Sequence, residues 1–207
     1  MSYTNSNNGD RNNRAVIDLI KSIQQTKYGT HSVVIYPDLD ILREIYCQFV
    51  KVELDTNHIV LLLPYYETIE YVRNYLLESG LDLQHHLNEG SLLIIDSREA
   101  FFNHYNELPR DREKGSLVSL MRILRAQEKK LQKEGTTIIA DLGCFFPEEG
   151  VCRLFEYEKS VPQSFSQANL KQICMYHQRD FDIRLTTEEK ADLVDEHARS
   201  VIMVSNS

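Results

Sequence analysis

The stretch His31-Ser-Val-Val-Ile-Tyr36-Pro-Asp-Leu-Asp-Ile41 decides the fold. It begins as a run of apolar, mostly β-branched residues and turns at Pro37-Asp38 into a helical period from Leu39 to Leu54. A second apolar run, His58-Ile-Val-Leu-Leu-Leu63, comes directly after it. Strands that are apolar at consecutive positions are buried on both faces, and a helix between two of them makes a crossover joining parallel strands.

The unit repeats along the chain. Further apolar runs stand at Ser91–Ile95, Thr136–Ala140, Gln172–Tyr176 and Ser200–Val204. Helical periods lie between them: Glu67 to Glu78 with a short follow-on at Leu83–Leu87, Ser116 to Lys133, Gly150 to Val161, and Thr187 to Ala198. The alternation predicts an α/β fold, a three-layer α/β/α sandwich on a mainly parallel sheet of about six strands. Asp38 is placed to cap the first crossover helix, and Thr186 or Thr187 the last with Glu188 or Glu189 in support. Ser97 to Gly115 reads as one long irregular loop, a candidate binding element.

The chain starts differently. Residues 1–13 are rich in Asn and Ser without apolar period and read as a disordered tail. Residues 14–28 read as an amphipathic helix whose stripe is Val16, Leu19, Ile20 and Ile23. That stripe must land on the domain body, residues 30–204, or on a second copy, which makes a homodimer one expected partner.

Composition narrows the function. The 207 residues carry 23 Lys+Arg against 31 Asp+Glu, a formal charge of −8, so nucleic acid and anionic membranes are not expected partners. One basic segment stands out: Arg110 to Glu134 holds 8 basic and 4 acidic residues, with Arg122, Arg125, Lys129 and Lys133 at helical spacing. It reads as a solvated face, with docking of an acidic partner the sharper alternative. No apolar run spans a bilayer and no export pattern opens the chain, so a cytoplasmic location is expected. Cys47, Cys144, Cys152 and Cys174 form no Cys-x-x-Cys pair and read as reduced thiols.

In an open parallel sheet the ligand crevice lies beyond the carboxyl ends of the strands. The residues at and just past each strand end are therefore the candidate ligand-binding set: Tyr36 and Asp38, Tyr65 and Tyr66, Asp96, Asp141 and Cys144, and Tyr176, His177 and Arg179. The expected pocket is closed and aromatic-lined, at Tyr36, Tyr65, Asp141 and Tyr176. The eight glycines, at 9, 29, 80, 90, 115, 135, 143 and 150, allow neither a phosphate loop nor a dinucleotide fingerprint. Pro37 lacks an N–H, and Asp38 puts negative charge where a phosphate needs donors, so ATP hydrolysis is not expected. No catalytic constellation emerges: Cys144 and His177 could meet as nucleophile and base, but nothing around them forms a signature. No metal motif emerges either, and His85 and His86, adjacent on a helix, should point apart. No cofactor is expected.

Several segments resemble one family. His31-Ser-Val-Val-Ile-Tyr36-Pro-Asp, Ile59–Leu63-Pro64, Gly80-Leu-Asp, Leu87-Asn-Glu-Gly90 through Asp96, and Ile173-Cys174-Met-Tyr176-His-Gln-Arg-Asp-Phe181 are similar in order and spacing to the MEDS domain. This is the sensory domain of methanogen- and methylotroph-type, DcmR-like regulators. The resemblance implies a degenerate RecA-like core without a phosphate loop, and sensing of small organic or hydrocarbon-derived ligands. His31, Tyr36, Cys174 and Tyr176 match the family pattern, whereas His177 stands where the family commonly has an acid. Family members often carry a signalling module, and none is read after Val204 here, so the expected output is a protein partner or self-association.

The expected function is thus a non-catalytic sensory domain for a small organic ligand. The alternatives are a relic nucleotide-binding protein using Asp141 and Arg179, and an assembly module dimerising through its first helix.

Overall fold

The computed structural model describes residues 16–22, 28–102, 116–148, 150–165, 169–196 and 201–203. The expected disordered tail therefore lies outside the described residues. The strands are β1 (Thr30–Tyr36), β2 (His58–Leu63), β3 (Leu92–Ile94), β4 (Gly135–Asp141), β5 (Leu170–His177) and β6 (Val201–Met203). The helices are α1 (16–22), α2 (Leu39–Asp55), α3 (Ile69–Glu78), α4 (Leu83–Glu89), α5 (Ser97–Phe101), α6 (Ser116–Leu131), α7 (Phe145–Glu148), α8 (Gly150–Phe165), α9 (Gln178–Arg184) and α10 (Thr187–Glu196). The six strands form one sheet in the order β3-β2-β4-β5-β1-β6, and every neighbouring pair is parallel.

Strand residues alternate between two cores, as the period of two requires. Val34 and Tyr36 of β1 point into a core shared with α1 to α4, while Val33 and Ile35 point into one shared with α5 to α10. The sandwich is thus three-layered, as the apolar runs predict. The connection after β1 runs over the first face, and those after β4 and β5 run over the second. The carboxyl ends of these three adjacent strands are accordingly a topological switch point.

Caps fix the crossover ends. Asp38 Oδ1 accepts from the Ile41 N–H at 3.0 Å and starts α2. Thr186 and Glu189 cap α10 reciprocally, at 3.2 and 2.8 Å. Gly90 ends α4 at φ 82°, in the left-handed region that favours glycine.

Two expectations change. The start of the Ser97–Gly115 loop is helical, because the Asp96 carboxylate accepts from Arg98 and Glu99 N–H and opens α5; residues 103–115 lie outside the described residues. The stripe of α1 is also already used. Val16, Leu19 and Ile20 are buried in the first core of their own chain, so these three side chains do not present a dimer surface; Ile23 lies outside the described residues. The basic positions Arg122, Arg125 and Lys129 are exposed on α6, as a solvated face requires, whereas Lys133 lies past the end of α6, half-buried, with its Nζ 3.7 Å from Glu89 Oε2.

Candidate ligand site at the carboxyl edge

Tyr36, Asp141 and His177 end β1, β4 and β5, and strand pairing brings them together. Asp141 is fully buried. Its Oδ2 accepts the Tyr36 hydroxyl at 3.0 Å and its Oδ1 accepts the Gly143 N–H at 3.1 Å. Burial pushes the carboxyl up to about 7; the hydrogen bonds from Gly143, Tyr36 and the Tyr66 backbone pull the other way, and Asp180 adds to the rise.

Aromatic rings close over this pair. His177 meets the Tyr36 ring edge-on at 5.4 Å and the Tyr66 ring at 5.4 Å, and Tyr65 packs on Tyr66 at 4.8 Å. Gly143 makes room for them: a Cβ there would lie 2.7 Å from atoms of both Tyr65 and Tyr66. Tyr66 donates to the Asp180 carboxylate, and Arg98 lies over the Tyr65 ring. His177 caps α9, its Nδ1 accepting from the Arg179 N–H at 3.1 Å. Outside the rings opens a cleft of about 440 Å³, lined by Tyr66, His177, Arg179 and Asp180 with Leu39, Ile183 and Arg184.

Of the ten sequence-predicted residues, Tyr36, Tyr65, Tyr66, Asp141, His177 and Arg179 assemble here. Four do not. Asp38 and Asp96 spend their carboxylates on the first turns of α2 and α5. Cys144 faces the second core, where its thiol contacts Ser97 Oγ at 3.2 Å and burial pushes it up to about 12. Its hydrogen bonds and those of His177 run to different partners, so the pair does not form a nucleophile and base. Tyr176 precedes His177 by one residue, and strand alternation sends it to the opposite face, where it donates to Glu158. The expected four-residue pocket is therefore not built.

Sequence reasoning missed Tyr46 and Glu67. The Tyr46 hydroxyl and Glu67 Oε2 are buried without a hydrogen-bond partner among the described residues, and Asp141 and Glu67 both push the Tyr46 hydroxyl up after burial does. Tyr46 sits at a core position of α2, where only its hydroxyl distinguishes it from Phe. Glu67 is held by Arg43, whose Nε donates at 2.8 Å. Among the described residues, two groups of side chains lie close enough to share a metal ion, His31 with Glu158 and Cys174, and His85 with His86 and Glu89. The second corrects the expectation that the two histidines point apart: their rings stand 5.2 Å from each other. Neither group lines the cleft.

Residues 30–191 match the family model described as the methanogen/methylotroph, DcmR sensory domain, MEDS. Among solved structures, a KaiC-like protein from the hyperthermophilic archaeon Pyrococcus horikoshii is similar over 85% of this chain and 71% of its own, with a TM-score of 0.51 and 11% identity. That likeness concerns the fold and agrees with a RecA-like core. No curated protein matches the chain.

Proposed function

The chain belongs to the MEDS family, and from that membership we propose a non-catalytic sensory domain that binds a small organic ligand in the carboxyl-edge cleft. The observation that carries this reading is the double role of Tyr66 and His177. Both line the open cleft, and both touch the buried Tyr36–Asp141 unit through ring contacts or the Tyr66 backbone. A ligand that moves either ring therefore acts directly on the switch point of the sheet.

The cleft chemistry sets the ligand class. Arg179 and Arg184 suit an anionic or acceptor head, and Leu39 and Ile183 suit a short apolar body. Response to the bound ligand passes to a protein partner or to a second copy of the chain. The nucleotide reading is disfavoured by the start of α2. Pro37 removes a donor there, and the Asp38 carboxylate already takes the helix N-terminus.

Thermal unfolding of the full chain against short carboxylic acids and alcohols, with Mg-ATP and Mg-GTP in parallel, tests the proposal. At 100 times its Kd a ligand of the native state stabilises by about 2.7 kcal/mol, which is roughly a 5–10 °C rise. The rise is expected for a small organic acid and is expected to vanish in Arg179→Ala. A rise with nucleotide alone rejects the reading.

A further inference from the structure

We propose that His31, Cys174 and Glu158 form a buried site for one divalent transition-metal ion of the zinc type, separate from the ligand cleft. His31 stands near the start of β1, Cys174 in the middle of β5, and Glu158 on α8, which covers that face of the sheet. His31 Nε2 lies 2.8 Å from Cys174 Sγ and 2.9 Å from Glu158 Oε2. Cys174 is fully buried and Glu158 is 2% exposed.

The way these atoms converge decides what they suit. A nucleophile, base and orienting acid would use the two different nitrogens of the imidazole, one for each neighbour. Here thiol and carboxylate approach the same nitrogen, and one N–H cannot serve both well. Three donor atoms turned toward one point are the arrangement of ligands around a shared cation.

The donor set and the charge agree. One imidazole nitrogen, one sulfur and one carboxylate oxygen are the ligand types of zinc, and three protein ligands leave a fourth position open. A dication with one thiolate and one carboxylate is neutral overall, which suits a site buried in the low-dielectric interior. Tetrahedral bonds of ordinary length would part the donors from 2.8–2.9 Å to about 3.4–3.6 Å, a shift of side-chain rotation.

The surroundings look like a supporting layer. Tyr176 donates to Glu158 Oε1, which fixes the carboxylate. Gln172, 1% exposed, places its amide nitrogen 3.2 Å from Cys174 Sγ, and its Oε1 is buried without a hydrogen-bond partner among the described residues. The His85–His86–Glu89 group lies instead at the surface, with a His85 side chain that is 61% exposed.

The test is titration of the purified full chain, stripped with a chelator, with Co²⁺ and then Zn²⁺. One equivalent of Co²⁺ should bind, with the near-ultraviolet sulfur-to-cobalt charge-transfer absorption of a thiolate ligand, and Zn²⁺ should displace it. Cys174→Ser should abolish that absorption, and His31→Gln should weaken binding by more than the about 10–100-fold that a supporting residue costs. Cys152→Ser, at an exposed thiol, should change nothing. A wild-type complex without the sulfur absorption overturns the site whether or not any variant folds. So does an absorption that survives Cys174→Ser, or binding lost only in His85→Gln.

Discussion

The carboxyl edge and the interior of the sheet beneath α8 are built from the same two strands and have opposite characters. At the edge, β1 and β5 contribute Tyr36 and His177 to an open, aromatic-walled cleft around one buried acid. Beneath α8 the same strands contribute His31, Cys174 and Tyr176 to a sealed cluster around Glu158. Alternation along a strand divides them, since a residue and its neighbour face different layers. Among the described residues, the two regions therefore share strands but not side-chain contacts through which a change in one must disturb the other.

The largest expected effect breaks the edge. Asp141→Ala leaves the Tyr36 hydroxyl and the Gly143 N–H buried without an acceptor, and urea unfolding should register a loss of about 2–4 kcal/mol. The interior cluster should keep its metal-binding behaviour in that variant if it folds.

A pH series sharpens the same contrast. The folded Asp141 carboxyl is raised from 3.8 to about 7, so its contribution favours the folded state at low pH and is lost as pH rises through about 7. Between pH 5 and 8 this removes about 2–3 kcal/mol. Asp141→Asn should flatten that part of the profile in chemical denaturation, and an unchanged slope would assign it to other groups.

Gly143→Ala comes next. Its methyl group would press on Tyr65 and Tyr66, costing about 1–3 kcal/mol and shifting ligand response at the cleft. Tyr176→Phe probes the interior with a similar magnitude, about 1–2 kcal/mol, by stripping Glu158 of a donor. It should leave small-ligand stabilisation at the cleft intact. Asp38→Ala should cost least, about 1 kcal/mol from the lost cap of α2.

Whether a feature was legible in the sequence depended on how local its cause is. Continuous apolar runs and interposed helical periods are local signals, and they were enough for the layers, the parallel sheet and the caps at Asp38 and Thr186. Strand-end reasoning located the switch point and six of its side chains. It could not tell Tyr176 from His177, because the facing of a strand end depends on the register of the whole strand. Asp96 stands at a strand end like the others, and that its carboxylate starts a helix only five residues long is not legible from so short a run. Glu158 gave no signal, as it is one acid in the helical run Phe155-Glu-Tyr-Glu-Lys159, and only tertiary packing selects which of these is buried.

The cap of α2 has a consequence for what the domain ignores. A carboxylate fixed one residue before a helix is present at its N-terminus at an effective concentration in the millimolar range or above. Any free phosphate must compete against that tethered rival, with the missing N–H of Pro37 counting against it as well. The N-terminus of this crossover helix is in this chain permanently self-occupied. Changes in the concentration of free phosphate then leave this helix end undisturbed.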